Sequence, residues 1–259
     1  MKALMQDWSL TLDKLLDHAA RWHGDREVVT RSVEGPIIRS GYADIHARAK
    51  QVSHGLLEAG VKPGDRVATL GWNSDRHLAV WYGTIGIGAV LHTINPRLHD
   101  DQIVWVADHA EDSVLLFDIT ISDQVAQLAP RMKTVRTLVA MTDAAHAPPG
   151  VLVYEDLLAA QTPDFDWPDI DERSASGLCY TSGTTGNPKG VLYSHRSNVL
   201  HALFTMQADV LGATARDTVL AVVPNSMFSE FREPNSDDFS ASLSSATLKP
   251  SMRSKAPST

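Results

Sequence analysis

Between residues 66 and 141 the chain switches repeatedly between two kinds of apolar pattern, and that alternation constrains the fold more than any other feature of the sequence. Short β-favouring runs at 66–70, 90–93, 113–118 and 137–141 are separated by stretches of helical periodicity at 75–87, 100–109 and 121–128. Strands that alternate with helices are the mark of a parallel sheet, because each return to the same edge of the sheet needs a crossover long enough to hold a helix. The expected fold class is therefore α/β, with a mostly parallel sheet and covering helices. Upstream, Leu12, Leu15, Leu16, Ala19 and Trp22 fall at helical spacing, with Thr11 as the expected cap and Gly24 as the stop. Two short β-favouring runs, 27–31 and 36–40, flank Glu34 and Gly35 and predict a hairpin, and a helix over 42–59 should end at Gly60.

Downstream the pattern is looser. Residues 143–150 and 161–171 are rich in turn formers and are candidate boundaries between subdomains. Apolar runs at 177–181, 191–194 and 218–223 read as strands, and 197–207 as a helix. Residues 225–259 hold ten serines, three prolines and no Val, Ile, Trp or Tyr. Such a segment buries too little apolar area to offset its ordering entropy, so a disordered tail is expected beyond a domain spanning 1–224.

The formal charge of −8 and the absence of clustered Lys and Arg argue against nucleic-acid binding. Cys179 is the single cysteine, which excludes an internal disulfide and any cysteine zinc site, and its apolar surroundings favour inert packing over a reactive thiol. Asp7 and Asp13 interrupt the amino terminus before a signal-peptide core could form, and no apolar run reaches membrane-spanning length. A soluble cytoplasmic protein without an integral membrane segment is the expectation. The eleven histidines are scattered from His18 to His201, so no metal site is assigned. Trp72, Trp81 and Tyr82 are assigned to core packing, and Arg76 and His77 to structural roles.

Residues 180–190, YTSGTTGNPKG, place four hydroxyls, three glycines and a lysine between two strand-like runs. Glycine lets successive N–H groups converge on an anion, hydroxyls add donors, and lysine brings a mobile positive charge. The natural ligand of such a loop is a polyphosphate. The common nucleotide pattern Gly-x-x-x-x-Gly-Lys-Ser/Thr fails here, because after four intervening residues Gly183 meets Pro188, and Lys189 is followed by Gly190. A strand follows the loop where a P-loop would have a helix, so a helix dipole is not expected to supply the field. Composition alone leaves open an ordinary Ser/Thr/Gly surface turn.

The eleven-residue run resembles the phosphate-loop signature of the adenylate-forming superfamily. Residues 71–98, GWNSDRHLAVWYGTIGIGAVLHTINPRL, and 191–203, VLYSHRSNVLHAL, are similar to its medium- and long-chain fatty acyl-CoA synthetase branch. The resemblance covers residues 1–224 and implies the front part of the large adenylate-forming domain. It further implies that a fatty acid attacks Mg2+-bound ATP to give acyl-AMP and pyrophosphate, after which coenzyme A captures the acyl group. By motif position, Thr181, Ser182, Thr184 and Thr185 would donate hydroxyls to the ATP phosphates, Gly183 and Gly186 would admit the backbone, and Lys189 would neutralise charge. No residue is assigned as a nucleophile or as a protein ligand of the metal.

The chain also departs from the family pattern. Where relatives carry Met-Phe-His, Pro224 is followed here by Asn225, Ser226, Met227, Phe228 and Ser229. Elements expected later for adenine, ribose, magnesium and the adenylation lysine are absent from the 259 residues. The expectation is a truncated or mis-assembled product with an uncovered sheet edge near residue 223. Two rival readings stand beside the fatty acid–CoA ligase: a non-catalytic remnant that retains nucleotide or partner binding, and an aryl- or aminoacyl-adenylating enzyme.

Overall fold

The computed structural model describes residue 5 and residues 7–181 and 187–222. Helix α1 (Asp13–His23) leads into a two-stranded antiparallel hairpin, β1 (Glu27–Arg31) and β2 (Ile37–Gly41), and then α2 (Tyr42–Glu58). The chain next builds β3 (Arg66–Leu70), α3 (Asp75–Gly86), β4 (Val90–Ile94), α4 (Asp100–Ala110), β5 (Asp112–Phe117), α5 (Ser122–Leu128) and β6 (Thr137–Ala140). After these come β7 (Leu152–Val153), α6 (Tyr154–Ala159), β8 (Ala175–Thr181), β9 (Lys189–Ser194) and α7 (His195–Thr205). The main sheet has seven strands in the order β7-β6-β5-β3-β4-β8-β9. Every neighbouring pair is parallel except β8 and β9.

Side-chain alternation divides this sheet into two apolar faces. Val67, Leu91, Val114 and Leu116 pack with Val52 and Leu56 of α2, Val80 and Ile85 of α3, and Leu158 of α6. Their sequence neighbours Ala68, Leu70, Leu115 and Phe117 point the other way, into Ile103 and Val106 of α4 and Val125 and Leu128 of α5. Covered on both sides, β4 and β5 are buried along their whole lengths. This explains why they read as continuous apolar runs instead of alternating ones. From β3 the chain steps one way to β4 and then back past β3 to β5, which puts α3 and α4 on opposite faces.

A half-buried charge network ties the small hairpin to this body. Arg76, in the first turn of α3, donates through Nη1 to Glu34 at 2.6 Å and through Nε to Glu155 at 2.8 Å. Arg48 reaches the same Glu155 at 2.8 Å, and the Thr142 hydroxyl donates to Glu34 at 2.6 Å. Burial alone would raise the Glu34 carboxyl, but hydrogen bonds from Thr142 and Arg76 outweigh it and hold the group down at about 2. His77 is fully buried, with Nδ1 3.0 Å from the Trp72 carbonyl and Nε2 2.9 Å from Thr69 Oγ1, and burial lowers its pKa. Both residues are structural, as the sequence led one to expect.

Several sequence expectations are corrected. Thr11 does not cap α1: Leu12 holds the capping position, and the Thr11 hydroxyl instead accepts from Lys14 Nζ at 3.0 Å. Trp22 is exposed because it falls about 120° around the helix from Leu16, and Arg21 lies over its ring. Residues 161–171 do not separate subdomains. They run as a strap across the helices, with Trp167 Nε1 donating to Ser53 Oγ at 2.8 Å and its indole seated where a Cβ on Gly86 would lie 2.3 Å away. Strand β7 and helix α6 have no counterpart in the sequence reading. The described part of 218–223 forms no strand, and Val219, Leu220 and Val222 are exposed. An apolar run becomes a strand only where a ladder partner receives its amides, and none pairs with it among the described residues. The expected disordered tail, 225–259, lies outside the described residues.

Candidate phosphate-binding hairpin

The loop singled out in the sequence closes the β8–β9 hairpin. Tyr180 pairs with Gly190 and Thr181 with Lys189, so the seven residues between Thr181 and Lys189 form the connection. Direct opposition puts the Thr181 and Lys189 side chains on one face of the ladder, with Cβ atoms about 5 Å apart. Thr181 is half-buried and Lys189 exposed, which leaves the ammonium free to meet an anion. Ser182, Gly183, Thr184, Thr185 and Gly186 lie outside the described residues. Because β8 runs parallel to β4, the loop leaves the sheet at the carboxyl ends of the parallel strands, where ligands bind in open α/β sheets. Helix α7 begins at the opposite end of β9, where Ser194 pairs with Ala175. Six strand residues, roughly 20 Å, therefore separate its amino terminus from the loop, and its dipole falls off within about a turn.

Tyr180 anchors the base of the hairpin. Its hydroxyl lies 2.7 Å from His109 Nδ1, and Trp105 stacks on the His109 ring at 4.5 Å between centroids. On its other side the ring meets His92 at 5.1 Å, and His92 Nδ1 lies 2.7 Å from the buried Asp112 carboxylate. Burial, reinforced by the nearby Asp112 charge, pushes the Tyr180 phenol up to about 12, so the group stays neutral at physiological pH. A Cβ on Gly190 would lie 3.2 Å from Tyr180 Cζ, tighter than ordinary contact, so glycine gives the ring its place over the opposing strand. Cys179 is buried, with Sγ 3.5 Å from Thr93 Oγ1, in keeping with a packing role.

The same carboxyl edge carries a group that the sequence reading passed over. Asp118, just past β5, accepts the Trp72 N–H at 2.7 Å, and burial raises its carboxyl to about 6 against the pull of that hydrogen bond. Trp72 is not core: it follows β3 at this edge, donates from Nε1 to Thr120 Oγ1 at 3.0 Å, and lies beneath the Arg97 guanidinium. Trp81 and Tyr82 do pack against the core. An acid closing an apolar run was the one available signal for Asp118. Among the described residues no group of three or more His, Cys, Asp or Glu side chains could hold a metal ion.

The model of the AMP-binding enzyme family matches residues 16–232, most of the chain. The chain belongs to that family. It is 48% identical over 219 residues to a medium-chain-fatty-acid–CoA ligase of Ectopseudomonas oleovorans, covering 83% of this chain and 40% of that enzyme. It is likewise 48% identical over 219 residues to a 3-methylmercaptopropionyl-CoA ligase of Ruegeria pomeroyi, covering 83% of this chain and 41% of that one. With a long-chain-fatty-acid–CoA ligase of Thermus thermophilus the identity is 44% over 220 residues, covering 85% of this chain and 40% of the relative. The chain thus spans about two-fifths of the length of the curated relatives it matches. Among solved structures, a Rhodopseudomonas palustris protein assigned as a long-chain-fatty-acid CoA ligase aligns with a TM-score of 0.70 at 28% identity, covering 83% of this chain and 51% of that one. An anthranilate CoA ligase crystallised with anthranoyl-AMP aligns with a TM-score of 0.70 at 20% identity over 78% of this chain and 38% of that one, a likeness of fold. The front part of the adenylate-forming fold, expected from the sequence, is the fold this chain has.

Proposed function

We propose that this chain supplies the ATP phosphate-binding part of a fatty acid–CoA ligase, which converts a fatty acid to acyl-AMP and then to acyl-CoA. The observation that carries the reading is the hairpin at the carboxyl edge of the sheet, with Thr181 facing Lys189, in a chain 44–48% identical to acyl-CoA ligases. In this reading Thr181, Ser182, Thr184 and Thr185 donate to the β- and γ-phosphates of ATP, Gly183 and Gly186 let the backbone approach, and Lys189 offsets the charge of departing pyrophosphate. The work is positioning and electrostatic, with no covalent step on the protein. Magnesium arrives bound to the ATP phosphates, and coenzyme A is the acceptor substrate. The domain comprises residues 1–224, and 225–259 lie outside it. Among the described residues no helix is long and apolar enough to cross a membrane.

ATP–pyrophosphate exchange tests this reading, with medium-chain and long-chain fatty acids, 3-methylmercaptopropionate and an aryl acid offered in parallel. Exchange driven best by a fatty acid and reduced roughly a hundredfold in Lys189→Ala is the expected result. Preference for the aryl acid overturns the fatty-acid assignment. ATP binding that depends on Lys189 but is accompanied by no exchange with any acid would instead support a non-catalytic nucleotide-binding chain.

A further inference from the structure

The hairpin that carries the loop outruns the parallel sheet. Register pairs between β4 and β8 are Leu91 with Gly177 and His92 with Leu178, whereas β8 goes on pairing with β9 as far as Thr181 and Lys189. Among the described residues, Cys179, Tyr180 and Thr181 thus extend past the last β4 pair with a ladder on one side only. A two-stranded ribbon twists more than a sheet and is marginally stable alone, and a lysine near its tip would sweep with it. Side chains must take over where the ladder stops. Cys179 makes a long contact, Sγ to Thr93 Oγ1 at 3.5 Å. Tyr180 makes a short one, its hydroxyl 2.7 Å from Nδ1 of His109 in the last turn of α4.

This tether has support of its own. His109 lies one turn after Trp105 on α4, and their rings stack at 4.5 Å between centroids, which steadies the imidazole. His92 of β4 meets the phenol ring at 5.1 Å, so Tyr180 is gripped between α4 and β4. Successive side chains of a strand point to opposite faces. Holding Tyr180 toward α4 therefore sets the direction of Thr181 and its partner Lys189 on the other face. The bond also survives a change of charge: neutral imidazole accepts from the phenol O–H or donates to its oxygen, and imidazolium donates to that oxygen. We propose that His109 is a positioning residue for phosphate binding, which through the Tyr180 hydroxyl holds the hairpin at the angle from which Thr181 and Lys189 meet the ATP phosphates. The inference rests on the ATP-binding role proposed above and needs no contact between His109 and the ligand.

The test is calorimetric binding of ATP and of inorganic tripolyphosphate, each with magnesium, to the full chain, with a denaturation midpoint recorded for every variant. Tyr180→Phe removes the hydroxyl and keeps the ring, and should weaken both ligands about fivefold. His109→Phe keeps a ring against Trp105 but no nitrogen and should do the same, while the double variant should be no worse than either single one. His109→Asn loses the stack yet returns an amide oxygen close to the place of Nδ1, and should bind within about twofold of the parent. A residue that served stability alone would give the opposite order, with affinities following the lost stack instead of the lost hydrogen bond. Tyr180→Phe and His109→Phe binding as tightly as the parent, while Lys189→Ala binds weakly, overturns the positioning role and leaves the phosphate-binding reading standing. Additive losses in the double variant overturn it too, because the two residues would then act separately. If His109→Phe fails to fold, Tyr180→Phe and His109→Asn decide the matter. A parent chain that binds neither ligand overturns both readings. The expected affinities without pyrophosphate exchange for any acid would remove the ligase assignment and leave His109 in its role.

Discussion

At the centre of the sheet β4 and β5 are buried along their entire lengths between helices on both faces, whereas four of the six residues of β9 are exposed. Both regions are strands of the same sheet, and both carry large apolar side chains. Near the centre even polar side chains are taken inside, in the His92–Asp112 pair of β4 and β5, while at the β9 edge Leu192 faces solvent. The difference shows that apolar sequence creates a demand for burial and that neighbouring elements decide whether the demand is met. Burying charge is costly unless an opposite charge and hydrogen bonds come with it. Exposing leucine forfeits about 25 cal/mol for each Å² left in water.

Four perturbations sharpen or break that contrast. Arg76→Ala should have a large effect, about 3 kcal/mol of stability in chemical denaturation, because half-buried Glu34 would lose its only cationic partner and Glu155 would keep Arg48 alone. A loss under 1 kcal/mol would mean that the hairpin is held by packing alone. Leu115→Ala, at a fully buried position in β5, should cost about 2–5 kcal/mol. Asp118→Asn should stabilise by on the order of 1 kcal/mol at pH 8. The folded carboxyl titrates at about 6, above the ordinary value near 3.9. Its favourable contribution is therefore complete below about pH 4 and lost as pH rises through 6. Urea midpoints across that window should slope downward in the parent and flatten in the variant. Leu192→Ala should change stability by no more than about 0.5 kcal/mol, since its side chain already meets water. A cost like that of Leu115→Ala would show that the edge is covered in solution.

The sequence marked the central strands because it there needed only local information: a strand buried on two faces is apolar at every position, and the helices between carry a clear period. It marked the loop because an eleven-residue run of hydroxyls, glycines and a lysine between two strand-like runs is specific to the family, whatever its composition alone allows. It missed β7 and α6, which are short and owe their form to the neighbouring β6 and α2. It misjudged residues 161–171, whose prolines and acids read as a linker until Trp167 found Ser53.

What the sequence determined by itself was the α/β class, the position of the Ser/Thr/Gly-rich loop between two strands and the family, all properties of residue type and spacing along a line. Only the tertiary structure decided that Thr181 and Lys189 face each other, that α7 starts at the far end of β9 from the loop, that Asp118 is buried at the carboxyl edge, and that β9 is the last strand of the sheet among the described residues. Each depends on which strand lies beside which, and pairing between distant segments is set by the burial of whole faces, a quantity that no local window of sequence contains.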